Sequence, residues 1–135
     1  MNQDRTPPQS LETEKALLGS IIAGSMSIDK AREVLTSSAF YYANHRKIWE
    51  LMLKMREEEK AIDIVTLVNE IEKEGINIEA SDIADLIEHQ GIEQLLDDYS
   101  KILTEKKIYR DTIGELGSII NNAFAEALPI SVFFN

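Results

Sequence analysis

The last third of the chain repeats apolar residues at alternating steps of three and four. The positions in this heptad pattern are 92, 95, 99, 102, 106, 109, 113, 116, 120, 123 and 127, and all are apolar or aromatic except Lys106. The pattern predicts one helix over residues 92–127. At about 1.5 Å per residue such a helix is roughly 54 Å long, which exceeds the width of a small domain. We therefore expect its first half to pack on a globular body, with Lys106 at the exit, and its second half to project.

The projecting half carries an apolar seam that needs a partner helix. The seam, which we predict to be an association surface, consists of Tyr109, Ile113, Leu116, Ile120, Ala123, Phe124 and Ala127. Gly114 and Gly117 lie beside it, and each costs about 1 kcal/mol relative to alanine in a helix, so a closely approaching partner would compensate. Alternatively, the helix folds back on its own chain. Only residues 128–135 follow, too few for a return helix, which favours association between chains.

The rest of the chain is also helical in pattern, because almost no segment alternates with period two. We predict an all-α fold, a small bundle of five to six helices with a long projecting C-terminal helix. The predicted helices span residues 11–24, 28–36, 44–58, 64–74, 81–90 and 92–127. The predicted division is an extended arm at 1–10, a globular helical domain at 11–100, the projecting helix at 101–127 and a tail at 128–135.

The start of the first helix has a clear local signal. Pro7 and Pro8 hold the chain extended before Ser10, whose hydroxyl can cap a helix. Glu12 and Glu14 fall in the first turn, near the positive end of the helix dipole. A helix is therefore expected to begin at about residue 11.

Three further positions carry local signals. Asp63 is placed to cap the fourth helix and Gly75 to end it, and Asn44 is the expected cap of the third. Gly19, inside the first helix, lacks a side chain and would let a neighbouring backbone come close. The aromatic residues between the second and third helices, at 40–42, are expected to fold back on the core.

The charge distribution bears on partners. The net charge is −10, and residues 57–88 hold two basic against eleven acidic residues, a local balance of −9. Nucleic-acid-binding domains usually carry a basic stripe, so direct nucleic-acid binding is not expected. Glu57, Glu58 and Glu59 are interpreted either as a solvated helix end or as an acidic patch for a basic protein partner. No apolar run is long enough for a membrane span, and a cytoplasmic location is expected.

Catalytic and cofactor chemistry is not predicted. The nearest match to a phosphate-binding loop, residues 19–26, lacks the lysine and falls within a helical pattern. The chain has no cysteine, and its two histidines, His45 and His89, are too few for a dedicated metal cluster. His45 is interpreted as a packing or hydrogen-bonding residue. We expect no catalytic, metal or cofactor site in these residues.

Three stretches of the chain form one pattern. They are 7–14 running into Leu17-Leu18-Gly19, then Phe40-Tyr41 with His45-Arg46-Lys47-Ile48-Trp49, then 62–67. In this order and at these distances they resemble the amino-terminal domain of the DnaB-like replicative DNA helicases of bacteria and their phages. The resemblance covers roughly residues 7–127. The residues it implies to be fold-defining are Pro7, Pro8, Glu12, Glu14, Phe40, Tyr41, His45, Ile62, Asp63 and Thr66.

The resemblance also implies partners. Residues 99–106 match the family segment that opens a helical hairpin, which a linker and an ATP-hydrolysing, RecA-like motor with magnesium then follow. This chain stops after the first hairpin helix, so we expect a fragment, or a short relative, without the motor and its cofactors. In the family these domains pair as a trimer of dimers and form a collar on the hexamer. Primase, and in some systems a helicase loader, docks on that collar.

A different interpretation of the function stays open. The helicase-binding domain of bacterial primases resembles this domain in fold. The chain could therefore be a stand-alone helical adaptor, either such a primase-type domain or a phage replication protein, that binds a helicase or its loader.

Overall fold

The computed structural model describes the backbone of residues 5–134 and the side chains of residues 5–126. This part of the chain contains six α-helices and no strand. The helices are α1 Leu11–Ala23, α2 Ile28–Val34, α3 Ala43–Glu57, α4 Ile64–Lys73, α5 Ala80–Glu88 and α6 Leu96–Phe134. Single 3-10 turns at Ser37–Ala39 and Glu93–Leu95 precede α3 and α6. The prediction of an all-α bundle with a long last helix is confirmed.

Helices α1 and α4 begin where their caps predict. The Oγ of Ser10 accepts a hydrogen bond from the Thr13 amide at 3.3 Å. The Oδ1 of Asp63 accepts one from the Thr66 amide at 2.8 Å, and the Thr66 hydroxyl accepts one from the Asp63 amide at 2.9 Å. This reciprocal pair satisfies two amides that a helix start otherwise leaves without partners. Gly75, with a φ of 67°, follows the end of α4, as expected.

The prediction that Asn44 caps the third helix is wrong. Helix α3 begins at Ala43, and Tyr42 occupies the cap position without a side-chain hydrogen bond. The carboxylate of Glu14, on α1, accepts hydrogen bonds from the amides of Tyr41 and Tyr42 instead. A contact from another helix therefore holds this helix start, which the local sequence signal could not show.

Helix α1 lies at the centre of the bundle, where it packs against α3, α4, α5 and α6. Leu17 and Leu18 are fully buried in the core. A Cβ built on Gly19 would lie 1.8 Å from the carbonyl oxygen of Leu86 on α5. The two helices thus meet backbone against backbone at this point, which confirms the close approach predicted for Gly19.

Helix α6 packs on the body along a different line from the predicted one. The heptad pattern places positions 92, 95, 99 and 102 against the body, but the structure buries Leu96, Ser100 and Leu103 and leaves Ile92 and Ile102 exposed. Neighbouring residues of a helix are separated by about 100° around its axis. The buried residues of α6 each follow a heptad position by one residue, so the heptad positions are turned by about 100° from the side that packs on the body. The helix also begins at Leu96, because residues 93–95 form a 3-10 turn.

Candidate interaction surface on α6 and its supporting loop

The seam is exposed along the outer part of α6. Tyr109, Ile113, Leu116, Ile120 and Phe124 are each more than half exposed, and the small side chain of Ala123 is exposed too. The side chain of Ala127 and the side chains of the predicted tail are not among those that the structure describes. The assignment of the seam to association, and the division of the chain into arm, body, projecting helix and tail, stay predictions.

Two residues that the sequence analysis missed widen this surface. Ile108 and Ile119 are also more than half exposed. They are eleven positions apart, a spacing of about three helical turns that puts them on one line beside the seam. The heptad pattern passes over both of them. A search for apolar residues spaced by eleven would have found them.

The two glycines of the outer helix have open space around them. A Cβ built on Gly114 or Gly117 meets nothing within 4 Å. No contact among the described residues therefore requires a glycine at either position. The expectation that a partner approaches them is untested.

A buried carboxylate supports the loop between α2 and α3, which contacts α6 through Arg110. Glu14 is fully buried, and it accepts hydrogen bonds from the Tyr41 amide at 2.9 Å and the Tyr42 amide at 3.4 Å. Its Oε1 also lies 2.8 Å from the Nδ1 of His45. Three partners thus stabilise a charge that would be costly to bury alone. Phe40, next in this loop, is buried against Trp49 with ring centroids 5.4 Å apart.

Two arginines hold the carbonyl groups of the same loop. Arg46 donates to the carbonyl oxygens of Phe40 and Tyr41 at 2.9 and 2.6 Å. Arg110, on α6, donates to the carbonyl oxygens of Ser38 and Ala39, both at 3.3 Å. It also donates a hydrogen bond to the carbonyl oxygen of Pro8 at 2.9 Å, and its guanidinium lies 5.6 Å from the centre of the Tyr41 ring. Arg110 therefore joins α6 to both the loop and the arm, one turn after the predicted exit at Lys106.

The remaining residues predicted to be fold-defining lie at helix starts or against the core. Ile62 is half-buried and packs on the core, whereas Pro7 is exposed and Pro8 half-buried in the arm. The exposed Glu12 lies 3.5 Å from the Nε2 of His89. The structure brings Glu14, Phe40, Tyr41 and His45 together. Their fold-defining role stays a prediction.

Part of the acidic stretch is paired within the chain. The Lys60 ammonium donates to Glu70 at 2.9 Å, and this hydrogen bond lowers the pKa of the Glu70 carboxyl. Lys54 likewise donates to Glu74 at 2.6 Å. Counting Lys15 with Asp85 and Lys73 with Glu70, four lysines form ion pairs with this stretch, fewer than its eleven acidic residues, so its surface remains negative.

Neither a metal site nor a membrane span is found in the part of the chain that the structure describes. No three His, Asp or Glu side chains of residues 5–126 are placed to hold a metal ion. No helix between residues 5 and 134 combines the length and apolar character needed to cross a membrane.

Comparison with known proteins identifies the class of this helical domain. The chain belongs to the DnaB-like helicase N terminal domain family, whose model matches residues 6–129. It is similar to the replicative DNA helicase DnaC of Bacillus subtilis, with 31% identity over 124 residues, which are 90% of this chain and 27% of that protein. It is also similar to DnaB of Geobacillus stearothermophilus, with 29% identity over 138 residues, 98% of this chain and 30% of that protein. The chain thus spans less than a third of the length of these relatives.

Solved structures agree on the fold. The N-terminal domain of DnaB helicase from Mycobacterium tuberculosis superposes with a TM-score of 0.84 at 23% identity, covering 90% of this chain and 89% of that one. The corresponding domain from Helicobacter pylori, described together with its interactions with primase, gives 0.74 at 24% identity and covers 84% of this chain and 90% of that one. The resemblance seen in the sequence is therefore confirmed.

Proposed function

We propose that this chain is the non-catalytic amino-terminal assembly and docking domain of a replicative DNA helicase. In this role it pairs with further copies through the seam and contributes to the collar of a helicase hexamer. Primase and a helicase loader would dock on that collar. ATP and magnesium would act in a motor outside these residues. The role requires no direct contact with nucleic acid or membrane, and its expected place is the cytoplasm.

The observation that carries the proposal is the exposed apolar row on α6. Seven large apolar side chains, namely Ile108, Tyr109, Ile113, Leu116, Ile119, Ile120 and Phe124, remain more than half exposed on one helix. Contiguous apolar surface of this kind marks interaction sites. Burying each large apolar side chain contributes about 1.5–3 kcal/mol. Association costs an estimated 4–15 kcal/mol in lost freedom, so the row must be buried as a unit to give a stable pair.

A double change in the seam tests association. We expect Ile113→Asp with Ile120→Asp to dissociate dimers, because two buried carboxylates without partners are costly. The variant should remain folded, since both side chains are exposed in the single chain, and its melting temperature should fall only by the stabilisation that the dimer contact provides. Analytical ultracentrifugation measures the first effect and thermal melts the second.

The matched control places the same charges off the seam, as Asn121→Asp with Asn122→Asp, and should keep the dimer. An oligomeric state that is the same in both variants and the wild type would contradict the association role. Unfolding of the seam variant would instead assign these residues to the core.

A second measurement addresses primase. The relative from Helicobacter pylori is described with its interactions with primase, which supports testing that partner here. We expect primase from the same source to bind this chain in isothermal calorimetry. If the acidic patch contributes, neutralising Glu57, Glu58 and Glu59 to glutamine should weaken binding about tenfold and reduce its salt dependence. Unchanged affinity would identify these residues as a solvated helix end, and no binding to the wild type would contradict the docking role.

A further inference from the structure

A groove separates the N-terminal arm from α6 at the point where α6 leaves the body. It has a volume of about 630 Å³, and the residues that matter for its chemistry are Pro7, Pro8, Tyr41, Arg110, Ile113 and Gly114. Two proline rings, an aromatic ring and an isoleucine make its walls largely apolar. Because Gly114 has no side chain and nothing lies within 4 Å of its Cβ position, the α6 side of the groove is open.

Hydrogen bonds from other parts of the chain hold two walls of the groove in place. The Tyr41 amide donates to Glu14, and the Tyr41 carbonyl accepts from Arg46. Arg110 lies over the Tyr41 ring and donates to Pro8 in the arm. Tyrosine and arginine in a pre-formed pocket are typical of the residues that dominate binding energy at protein interfaces. Little freedom remains to be lost on binding, which favours affinity.

The groove is positively charged although the chain as a whole is acidic. The hydrogen bonds of Arg110 go to carbonyl oxygens, and within residues 5–126 it forms no ion pair with a carboxylate. Arg110 therefore brings a positive charge to the groove, whose lining residues, among those the structure describes, include no carboxylate. An apolar anchor flanked by carboxylates is the chemistry that fits such walls.

The same chain presents a surface of that chemistry. Val65, in the first turn of α4, is 72% exposed, more than any other large apolar side chain in the described part of the chain. Asp63 and Glu72 are exposed on or beside the same helix, within the stretch of net charge −9. Phe124 is nearly as exposed, but Glu126 is the only charged residue between positions 116 and 126. Val65 is therefore the better complement to the groove.

We propose that the groove of one copy takes the Val65 end of α4 from a second copy. The two surfaces differ, so the contact is head to tail and can close into a ring or continue as a filament. The proposal rests on the proposed assembly role, but it adds a second contact that does not require the seam to pair. It predicts that salt weakens this contact, because charge complementarity contributes to it.

Cysteine cross-linking tests the contact directly, since the chain has no cysteine of its own. Full-length Val65→Cys chains are mixed with full-length Gly114→Cys chains and treated with a mild oxidant. We expect the mixed disulfide to form at least about tenfold faster than in a control mixture of Val34→Cys and Gly114→Cys. Val34, on α2, is also exposed, but it lies outside the acidic stretch. Raising the salt from about 50 to 500 mM should slow the Val65 reaction and leave the control unchanged.

A blocking variant gives an independent readout. Gly114→Leu places a side chain on the groove wall, where nothing lies within 4 Å of the Cβ position, and Ser118→Leu adds a similar side chain at an exposed position outside both the groove and the seam. In sedimentation at rising concentration, Gly114→Leu should lose species larger than a dimer, whereas Ser118→Leu should keep them. Thermal melts of both should show intact folding.

Equal cross-linking rates for Val65 and Val34, or larger species that survive in Gly114→Leu, would overturn the proposal. The proposal would also be overturned if Gly114→Leu blocked only the binding of a different protein, because the occupant of the groove would then not be a second copy of this chain. Failure of the seam is separate, since it is tested by Ile120→Asp alone, a change in the seam that lies outside the groove, and it appears as unchanged dimers in that variant. The cross-linking result at Val65 does not depend on whether the seam pairs, so the two hypotheses can fail independently.

Discussion

At the scale of single residues, Glu14 connects the parts of the domain. Its buried carboxylate accepts from two amides of the aromatic loop and contacts His45 on α3. Arg46 and Arg110 hold the carbonyl groups of the same loop from α3 and α6. Charged side chains from three helices thus fix one short loop, and through it the start of α3 and the exit of α6.

The carboxylate of Glu14 can be tested without changing its shape. Glu14→Gln replaces an acceptor oxygen with a donor that faces backbone amide donors. We expect a loss of about 1.5–3 kcal/mol in the free energy of unfolding, since hydrogen bonds to a buried charge are lost and a donor is left without a partner. Urea denaturation measures it. Glu12→Gln, on the exposed side of the same helix, should change stability by less than about 0.5 kcal/mol, and equal losses would contradict the role of burial.

At the scale of helices, the contact of α1 with α5 depends on the absence of one side chain. The backbone of α5 at Leu86 occupies the space that any side chain at position 19 would need. Moving either helix away would cost free energy, because Leu17, Leu18 and Ile83 are fully buried in the core. A single added methyl group should therefore separate two well-packed helices.

Gly19→Ala tests this contact. We expect it to lower the free energy of unfolding by about 1–3 kcal/mol, although alanine favours helix, because overpacking outweighs the propensity. Chemical denaturation measures the change. The control, Gly117→Ala, has open space and should raise stability by up to about 1 kcal/mol. A Gly19→Ala variant that is more stable than the wild type would show that α5 lies farther from α1 than this structure places it.

At the scale of the whole molecule, stability depends on ionised carboxyl groups at the joints between helices. The Arg56 guanidinium lowers the pKa of Asp29, and the Lys15 ammonium lowers the pKa of Asp85. The Ser27 amide, and after it Lys30, lowers the pKa of Glu93. These contacts join α2 to α3, α1 to α5, and α2 to the turn before α6.

Acid should therefore destabilise the domain. A carboxyl group with a lowered pKa in the folded state releases its proton more readily there than in the unfolded chain, so its contribution is present at neutral pH. The contribution is lost as the pH falls below the ordinary values of 4.5 for Glu and 3.8 for Asp. We expect the melting temperature to fall gradually from about pH 4.5 downward. The Glu93→Gln variant should show a shallower fall, and a melting temperature that is constant from pH 7 to pH 3 would contradict the linkage.

Much of the fold could be predicted from local patterns. Ser10 and Asp63 cap helices through contacts only three residues apart, and helical periodicity shows which residues of α1 and α4 face inward. The family could also be recognised, because its motifs occur in order along the chain. Such features depend on short spacings, which a sequence displays directly.

The sequence by itself therefore determined the class of fold, the helix starts at Ser10 and Asp63, the close approach at Gly19 and the apolar seam on α6, though not Ile108 and Ile119 beside it. Only the tertiary structure decided which line of α6 packs on the body, because Leu103 and the heptad position Ile102 are both apolar and the body selects between them. It also decided the role of Arg110, whose carbonyl partners are about 70 and 102 residues away. Backbone carbonyl groups carry no sequence signal, so contacts to them are visible only once the chain is folded.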